Sequence, residues 1–407
     1  MQQLTKGRIE ETAAKFGAAI ALTPCTLSNT LSEMCGCRAY FKFENLQMTG
    51  AFKERGALAK LLSLTPDQRK AGVLAASAGN HALGLAYHAR RLGIPCTVVM
   101  PEWTPLIKIT NVKREGAEVV IAGANYDGAC AHAMELRPEL GAVFVHPFND
   151  YDVMAGQGTI GLEILRQVPD VDAVVVPVGG GGLIAGIATA IKETRPEVLV
   201  IGVQSECTPS MKASVDNDAI VCTRPEGRTI ADGINVQTPG DKTFPIIRKY
   251  VDRLVTCNDA ETANAILHLL EIEKTVAEGA GAIALAAIEN RDLGLAGKNV
   301  AVVITGGNID VNILARIIER GLVRDGRLVR IRVCLKDQPG ALVDLATVLA
   351  TTRANISQIR HQRAFTQVSL GEAEVEIELE THGTDHIQSV LATLRERGYR
   401  PEVVDAG

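Results

Sequence analysis

Lys53 is the residue whose setting most suggests chemistry. It lies in the run Lys42-Phe43-Glu44-Asn45-Leu46-Gln47-Met48-Thr49-Gly50-Ala51-Phe52-Lys53-Glu54-Arg55-Gly56-Ala57. Residues 39–44 alternate apolar and polar side chains like a half-buried strand. Thr49-Gly50 reads as a turn and N-cap, and Ala51 onward as a helix. Lys53 then sits in a first helical turn, where the helix dipole disfavours a cation and lowers its pKa. Desolvation by Phe52 and the apolar neighbours pushes the same way. A lysine partly neutral at pH 7 is a nucleophile suited to a Schiff base; a solvated lysine at a helix start is the plain alternative.

Three other segments carry chemical groups at strand ends. Gly179-Gly180-Gly181-Gly182-Leu183 follows the apolar run 173–178 and opens a helix. Four glycines let successive N–H groups converge on an anion, with the helix dipole behind them. Gly180, Gly182 and Ala185 also satisfy G-x-G-x-x-A, with Glu206 after the next strand, so a dinucleotide fold fits this loop equally well. Ala75-Ala76-Ser77-Ala78-Gly79-Asn80-His81 joins a strand to a helix. Its side chains and N–H groups can face a cleft, or Ser77 or Asn80 can simply cap the helix. Ile304-Thr305-Gly306-Gly307-Asn308 ends another strand, and Thr305 offers a neutral hydroxyl or a plain strand cap.

In this order, and over essentially the whole chain, these segments resemble the tryptophan-synthase-β-like (fold type II) enzymes that use pyridoxal 5'-phosphate, in their serine/threonine dehydratase form. The resemblance implies that Lys53 bonds the cofactor and later takes the substrate α-proton, with Ser77 the second catalytic residue. It implies that Phe52 packs beside the cofactor and that Gly179, Gly180, Gly181, Gly182 and Leu183 hold its phosphate. Asn80 would reach its phenolic oxygen, and Thr305 would face its ring nitrogen. Ser77, Ala78, Gly79, Asn80 and His81 would hold the substrate carboxylate. Ala51 replaces a serine common among relatives and touches no reacting group. Ala78 stands where related serine racemases have a serine that protonates the opposite face, and alanine has no proton to give. Ala231-Asp232-Gly233-Ile234 and Glu278-Gly279-Ala280-Gly281-Ala282 resemble segments bordering the cofactor, their acids being either structural or part of the site. Glu206 resembles one ligand of the racemases' divalent-cation site, but Lys212 stands where a second carboxylate is expected, so no metal is assigned.

The elements that must position these groups are α/β in character. With 407 residues, 46% of them apolar, the chain can fill two or three cores. A net charge of −5 without a long basic run gives nucleic acid or anionic membrane no footing. The apolar runs are strand-sized, and residues 1–15 lack the apolar centre of a signal peptide. Nine scattered cysteines match no zinc spacing and suit a reducing cytoplasm. Strand-like runs at 73–76, 96–100, 117–121, 142–145, 173–178, 199–203 and 300–304 alternate with helical patterns at 81–92, 106–115 and 127–136. This alternation predicts parallel sheets in two lobes with a cleft between them. The family resemblance implies a catalytic domain over 1–322, its small lobe at approximately 52–153.

Residues 321–327 read as a polar joint, with 323–327 the linker to a domain at 323–407. Beyond it, 328–335, 341–350, 356–363, 372–380, 385–396 and 400–404 follow the ferredoxin-like order βαββαβ. Asp337-Gln338-Pro339-Gly340-Ala341-Leu342, with Asn355-Ile356, resembles the ACT domain, a module that senses small molecules, usually amino acids. These residues are the candidate effector site. The chain is thus expected to be a pyridoxal-phosphate lyase that dehydrates and deaminates L-threonine, and L-serine, to a 2-oxo acid and ammonia. It is expected to answer to an amino-acid effector and to assemble as a homodimer or homotetramer. A racemase or β-replacing relative would keep Lys53 and the glycines, and an inactive amino-acid sensor is the rival from another class.

Overall fold

A computed structural model describes residues 3–225, 227–363 and 368–404. One compact unit ends at Ile309 and a second begins at Asp310.

In the first unit six strands form a sheet in the order Cys25–Leu27, Arg38–Phe43, Asn299–Ile304, Ala173–Pro177, Leu199–Ser205, Arg253–Cys257. All neighbours are parallel except the first pair. Ala173–Pro177 is buried at every position, as expected of a parallel strand covered on both faces. The helices Tyr151–Gln167 and Gly182–Lys192 pack on this sheet, and Met154, Ile160, Ile164, Ile184, Ile187 and Ile191 fill its core. A second, all-parallel sheet runs Glu118–Ile121, Cys96–Met100, Val73–Ala76, Val143–Phe144. Its core is separate, built on Val73, Val98, Leu85, Ala86 and Ala89. Two sheets with two cores are the two expected lobes, and all four strands of the smaller sheet fall within 52–153.

Corrections arise where long-range packing decides. Residues 10–20 have helical spacing in the sequence, but the first helix is Lys6–Phe16, because Thr5 caps it through the Arg8 N–H and Gly17 ends it at φ +53°. Cys25–Leu27 and Arg253–Cys257 are edge strands that the sequence reading missed. Cys25–Leu27 is mostly exposed and Arg253–Cys257 mostly half-buried, and neither holds a long apolar run.

In the second unit the helix Val311–Arg324 runs through the first residues of the expected joint, because Ile317 and Gly321 are buried on one of its faces. The turn comes at 325–327. An antiparallel sheet follows in the order Asn355–Gln362, Glu372–Glu380, Leu328–Lys336, Glu402–Val403, with helices Ala341–Thr351 and Thr384–Glu396. In Leu328–Lys336 the residues Val329, Ile331, Val333 and Leu335 point to the core. Arg330 and Arg332 point outward to Glu378 and Glu376. The βαββαβ order is as read. Among the described residues no helix is long and apolar enough to cross a membrane.

Candidate active site

The helix carrying Lys53 begins at Lys53 itself, two residues later than its sequence suggested, and no side chain caps it. Thr49 does not cap. Instead Glu54 reaches back from the helix and accepts the Thr49 N–H at 2.7 Å. Residues 50–52 are held out of the helix by the loop that follows Asn299–Ile304. Ala51 bridges Gly306, Phe52 N–H donates to Thr305 O at 3.0 Å, and Gly307 N–H donates to Gly50 O at 2.9 Å.

The Lys53 side chain is half-buried. Its Nζ donates to Pro147 O at 3.1 Å and lies 5.1 Å from the Phe52 ring centre. Burial pushes its pKa down to about 8, against the opposing pull of the Glu278 charge. The amine is therefore partly neutral near physiological pH, as a nucleophile requires.

Phe148, next to Pro147, packs on the tetraglycine. A Cβ on Gly180 would lie 2.4 Å from its ring, and one on Gly182 would lie 2.8 Å from its backbone. Gly181 has φ +95° and precedes the helix Gly182–Lys192. Among the described residues none accepts a hydrogen bond from the N–H of Gly179, Gly180, Gly181, Gly182 or Leu183. Five unpaired N–H groups at the positive end of an eleven-residue helix form a cradle that fits a phosphate.

A second set of free N–H groups lies at the start of the helix Asn80–Leu92. The Ser77 N–H donates to Val99 O and the Gly79 N–H to Ser77 Oγ. Those of Ala78, Asn80 and His81 find no acceptor among the described residues. The His81 side chain is turned away, with Nε2–H donating to Val145 O at 2.9 Å. Burial, helped by the Lys53 charge, holds His81 down at about 3, so its ring is neutral. His81 can serve this loop through its backbone only.

Asn80 Nδ2 donates to Glu278 Oε1 at 2.7 Å, and Asn308 Nδ2 donates to Asn80 Oδ1 at 2.7 Å. Burial raises Glu278 to about 7. The Thr305 hydroxyl is 2% exposed and donates to Ala280 O at 3.1 Å, leaving its oxygen lone pairs toward a ligand. Lys53, the tetraglycine, Asn80 and Thr305 are thus tied to one another through Pro147-Phe148, Phe52, Glu278 and Asn308. Glu206 accepts from Arg291 at 3.3 Å and Lys212 pairs with Asp216.

The sequence reading missed a buried ionic cluster beneath the Lys53 helix. Arg55 donates to both oxygens of Glu44 (2.7 and 2.8 Å) and both of Glu163 (2.7 and 2.8 Å), and Lys42 donates to Glu163 at 2.6 Å. Lys42, Glu44 and Arg55 stand in the same sixteen-residue run as Lys53. That five charged residues, Lys42, Glu44, Lys53, Glu54 and Arg55, fall in one short run between apolar segments is the signal that could have exposed it.

A family model described as pyridoxal-phosphate dependent enzyme matches residues 18–306. The chain belongs to that family. The L-threonine ammonia-lyase of Thermotoga maritima is 49% identical over 402 residues, 98% of this chain and 100% of the relative. The L-threonine ammonia-lyase of Geobacter sulfurreducens is 50% identical over 397 residues, 97% of this chain and 98% of the relative. The structure of maize serine racemase superposes with a TM-score of 0.74 at 32% identity, covering 79% of this chain and 99% of that one. The two-lobed unit therefore has the fold type II arrangement of pyridoxal-phosphate dependent enzymes, and pyridoxal phosphate is its cofactor.

In the second unit Asp337 accepts from Arg363 at 2.9 Å and Asn355 donates to Glu380 at 2.9 Å. Gly340, at φ +92°, precedes the helix Ala341–Thr351. Ala341 and Ile356 pack on the core, while Leu342 is exposed.

Proposed function

We propose that the chain is a threonine ammonia-lyase that converts L-threonine, and L-serine, to the 2-oxo acid and ammonia. The observation that carries this is the amine of Lys53, lowered to about 8 and bonded to Pro147 O, one residue from the Phe148 that packs on the tetraglycine, whose five N–H groups find no acceptor among the described residues. The two relatives named for this activity, similar along nearly the whole chain, support the substrate.

Bound pyridoxal phosphate supplies an electron sink for the substrate α-carbon and a phosphate by which it is gripped. The N–H groups of Gly179 to Leu183 would hold that phosphate, and Phe52 would flank the ring. The N–H groups of Ala78, Asn80 and His81, with the Ser77 hydroxyl, would bind the substrate carboxylate and fix the Cα–H bond toward Lys53. Lys53 Nζ, once free, would take the α-proton as general base. Thr305, a neutral hydroxyl, would leave the ring nitrogen without the full charge that an aspartate enforces. Elimination of the β-hydroxyl is thereby favoured over side reactions. Water leaves from Cα–H and Cβ–OH, and it returns when the released enamine hydrolyses, so the net products are 2-oxobutanoate and ammonia. Serine racemisation is the second reading, prompted by the maize neighbour. The Ala78 methyl argues against it, since it can deliver no proton to the opposite face.

The purified protein should absorb near ~410 nm, as a lysine–pyridoxal Schiff base does. It should also form 2-oxobutanoate from L-threonine, both being lost in Lys53→Ala. A band without turnover would refute the reaction and keep the family. We assign the second unit to sensing an amino acid through Asp337, Gly340, Ala341, Leu342, Asn355 and Ile356. A rate unchanged by all twenty amino acids would refute that. Assembly as a homodimer or homotetramer is checked by sedimentation. Nine free thiols, among them Cys25, Cys35, Cys96 and Cys257, which burial pushes up to about 12, support a reducing cytoplasm.

A further inference from the structure

Glu278 precedes the helix Gly279–Asn290 and is 8% exposed. Its backbone N–H donates to Gly306 O at 3.0 Å, which fixes the carboxylate beside the loop after Asn299–Ile304. Asn308 Nδ2 donates both to Thr49 O at 2.9 Å and to Asn80 Oδ1 at 2.7 Å. Thr49 O is a carbonyl and can only accept, so the Asn308 amide must present its nitrogen at this corner. Asn80 must then offer its oxygen to Asn308 and its nitrogen to Glu278, as the 2.7 Å contact records. One N–H of Asn80 remains for a ligand.

Resting on the proposed function, we propose that Glu278 is a positioning residue: with Asn308 it locks the Asn80 amide so that Asn80 presents an N–H, not a carbonyl, to the anionic oxygen of the bound cofactor. An ionised Glu278 can only accept, and so it enforces this orientation. A protonated Glu278 brings a new donor into a buried corner where Asn80 Oδ1 is the acceptor it would compete for, and the lock loosens. The charged groups around Glu278 come from three elements. Burial pushes it up to about 7 and Asp232 of the turn Asp232–Ile234 acts the same way. The Asn80 amide, Lys108 of Leu106–Arg114 and Lys53 oppose. Lys108 and Asp232 themselves lie 3.6 Å apart.

The test compares wild type, Glu278→Gln and Asn308→Ala as holoenzymes. Three readouts are taken: the pH midpoint of the cofactor absorption, the cofactor dissociation constant by dialysis, and the melting temperature of the cofactor-free protein. Wild type should show a spectral transition near pH 7 and Glu278→Gln should lack it. Asn308→Ala should keep the transition and bind the cofactor about threefold more weakly, as loss of the solvent-facing Asn308–Asn80 hydrogen bond implies. A Glu278→Gln enzyme with the wild-type midpoint and an affinity within twofold overturns the proposal. A purely structural Glu278 would lower the melting temperature and leave the midpoint alone. If Glu278→Gln does not fold, Asn308→Ala decides, and an unchanged affinity there refutes the lock. A wild type that holds cofactor but turns over no hydroxy amino acid refutes the proposed reaction and leaves this test standing.

Discussion

Replacing Arg55 by methionine should cost the first unit about 3–5 kcal/mol, the range for breaking a buried ion pair from one side. Methionine fills much of the space, so the loss is electrostatic. Arg55 makes four charge-assisted bonds of 2.7 to 2.8 Å to Glu44 and Glu163, whose side chains are 0% and 10% exposed. Without it one cation, Lys42, faces two carboxylates. At about 2–4 °C per kcal/mol the melting temperature should fall on the order of 10 °C. The deficit should also depend on pH. Burial raises Glu44, but the Arg55 charge and hydrogen bond, with Lys42, hold it below the ordinary carboxylate range. A depressed folded-state pKa contributes stability that is present above the unfolded value and lost as pH falls. In Arg55→Met the upward push of burial wins, so the variant instead loses stability as pH rises. The gap should therefore be small near pH 4 and full by neutrality. Melts of the cofactor-free proteins from pH 4 to 8 read this directly, and adding Glu163→Gln should recover part of the loss. A deficit below ~1 kcal/mol, or one indifferent to pH, would refute the reasoning.

Gly180→Ala would bring its Cβ to 2.4 Å from the Phe148 ring. That is more than 1 Å inside a normal ~3.5 Å contact, so overpacking should cost about 1–3 kcal/mol. Cofactor affinity should fall more than tenfold while Lys53 is untouched; dialysis and a melt check both. The rate at which cofactor-free protein captures pyridoxal phosphate should rise with pH and level off above about 8, where Lys53 is neutral. A profile still climbing at pH 10 would count against a depressed lysine. His88 is buried with neither ring nitrogen bonded, and burial holds it at about 4. Because its folded pKa lies below the unfolded ~6.5, its stability contribution is lost as pH falls between those values. His88→Leu should accordingly flatten the stability curve over that window and raise stability at pH 7 by about 1 kcal/mol.

Much of this was legible because it is local. The apolar runs ending at Ala76, Met100 and Ile304 needed no partner to be read as strands, and the glycines at 179–182 announce a tight turn wherever they stand. The alternation in Leu328–Lys336 and Glu372–Glu380 marks half-buried antiparallel strands by itself. What escaped reading is what distant residues decide. Thr49-Gly50 before a helical run has the composition of a cap, yet Gly306 and Thr305 draw Ala51 and Phe52 out of the helix. His81 looks like a cleft residue until Val145 O claims its ring. Arg55 and Glu163 are more than a hundred positions apart, and no periodicity in either segment reports their pairing.

The strand Asn299–Ile304 lies between Arg38–Phe43 and Ala173–Pro177, although it is the last of the three to be synthesised. On a growing chain the two flanking strands therefore emerge with an unfilled gap between them. At about 5–20 residues per second that gap persists for tens of seconds after Phe43 is made. Phe41, Val174 and Val175, fully buried in the finished sheet, wait exposed along its margins. Until its last catalytic-unit strand is released, the nascent protein holds apolar strand margins with no partner between them. A chain cut short before Asn299 would lack not one edge of the sheet but its middle.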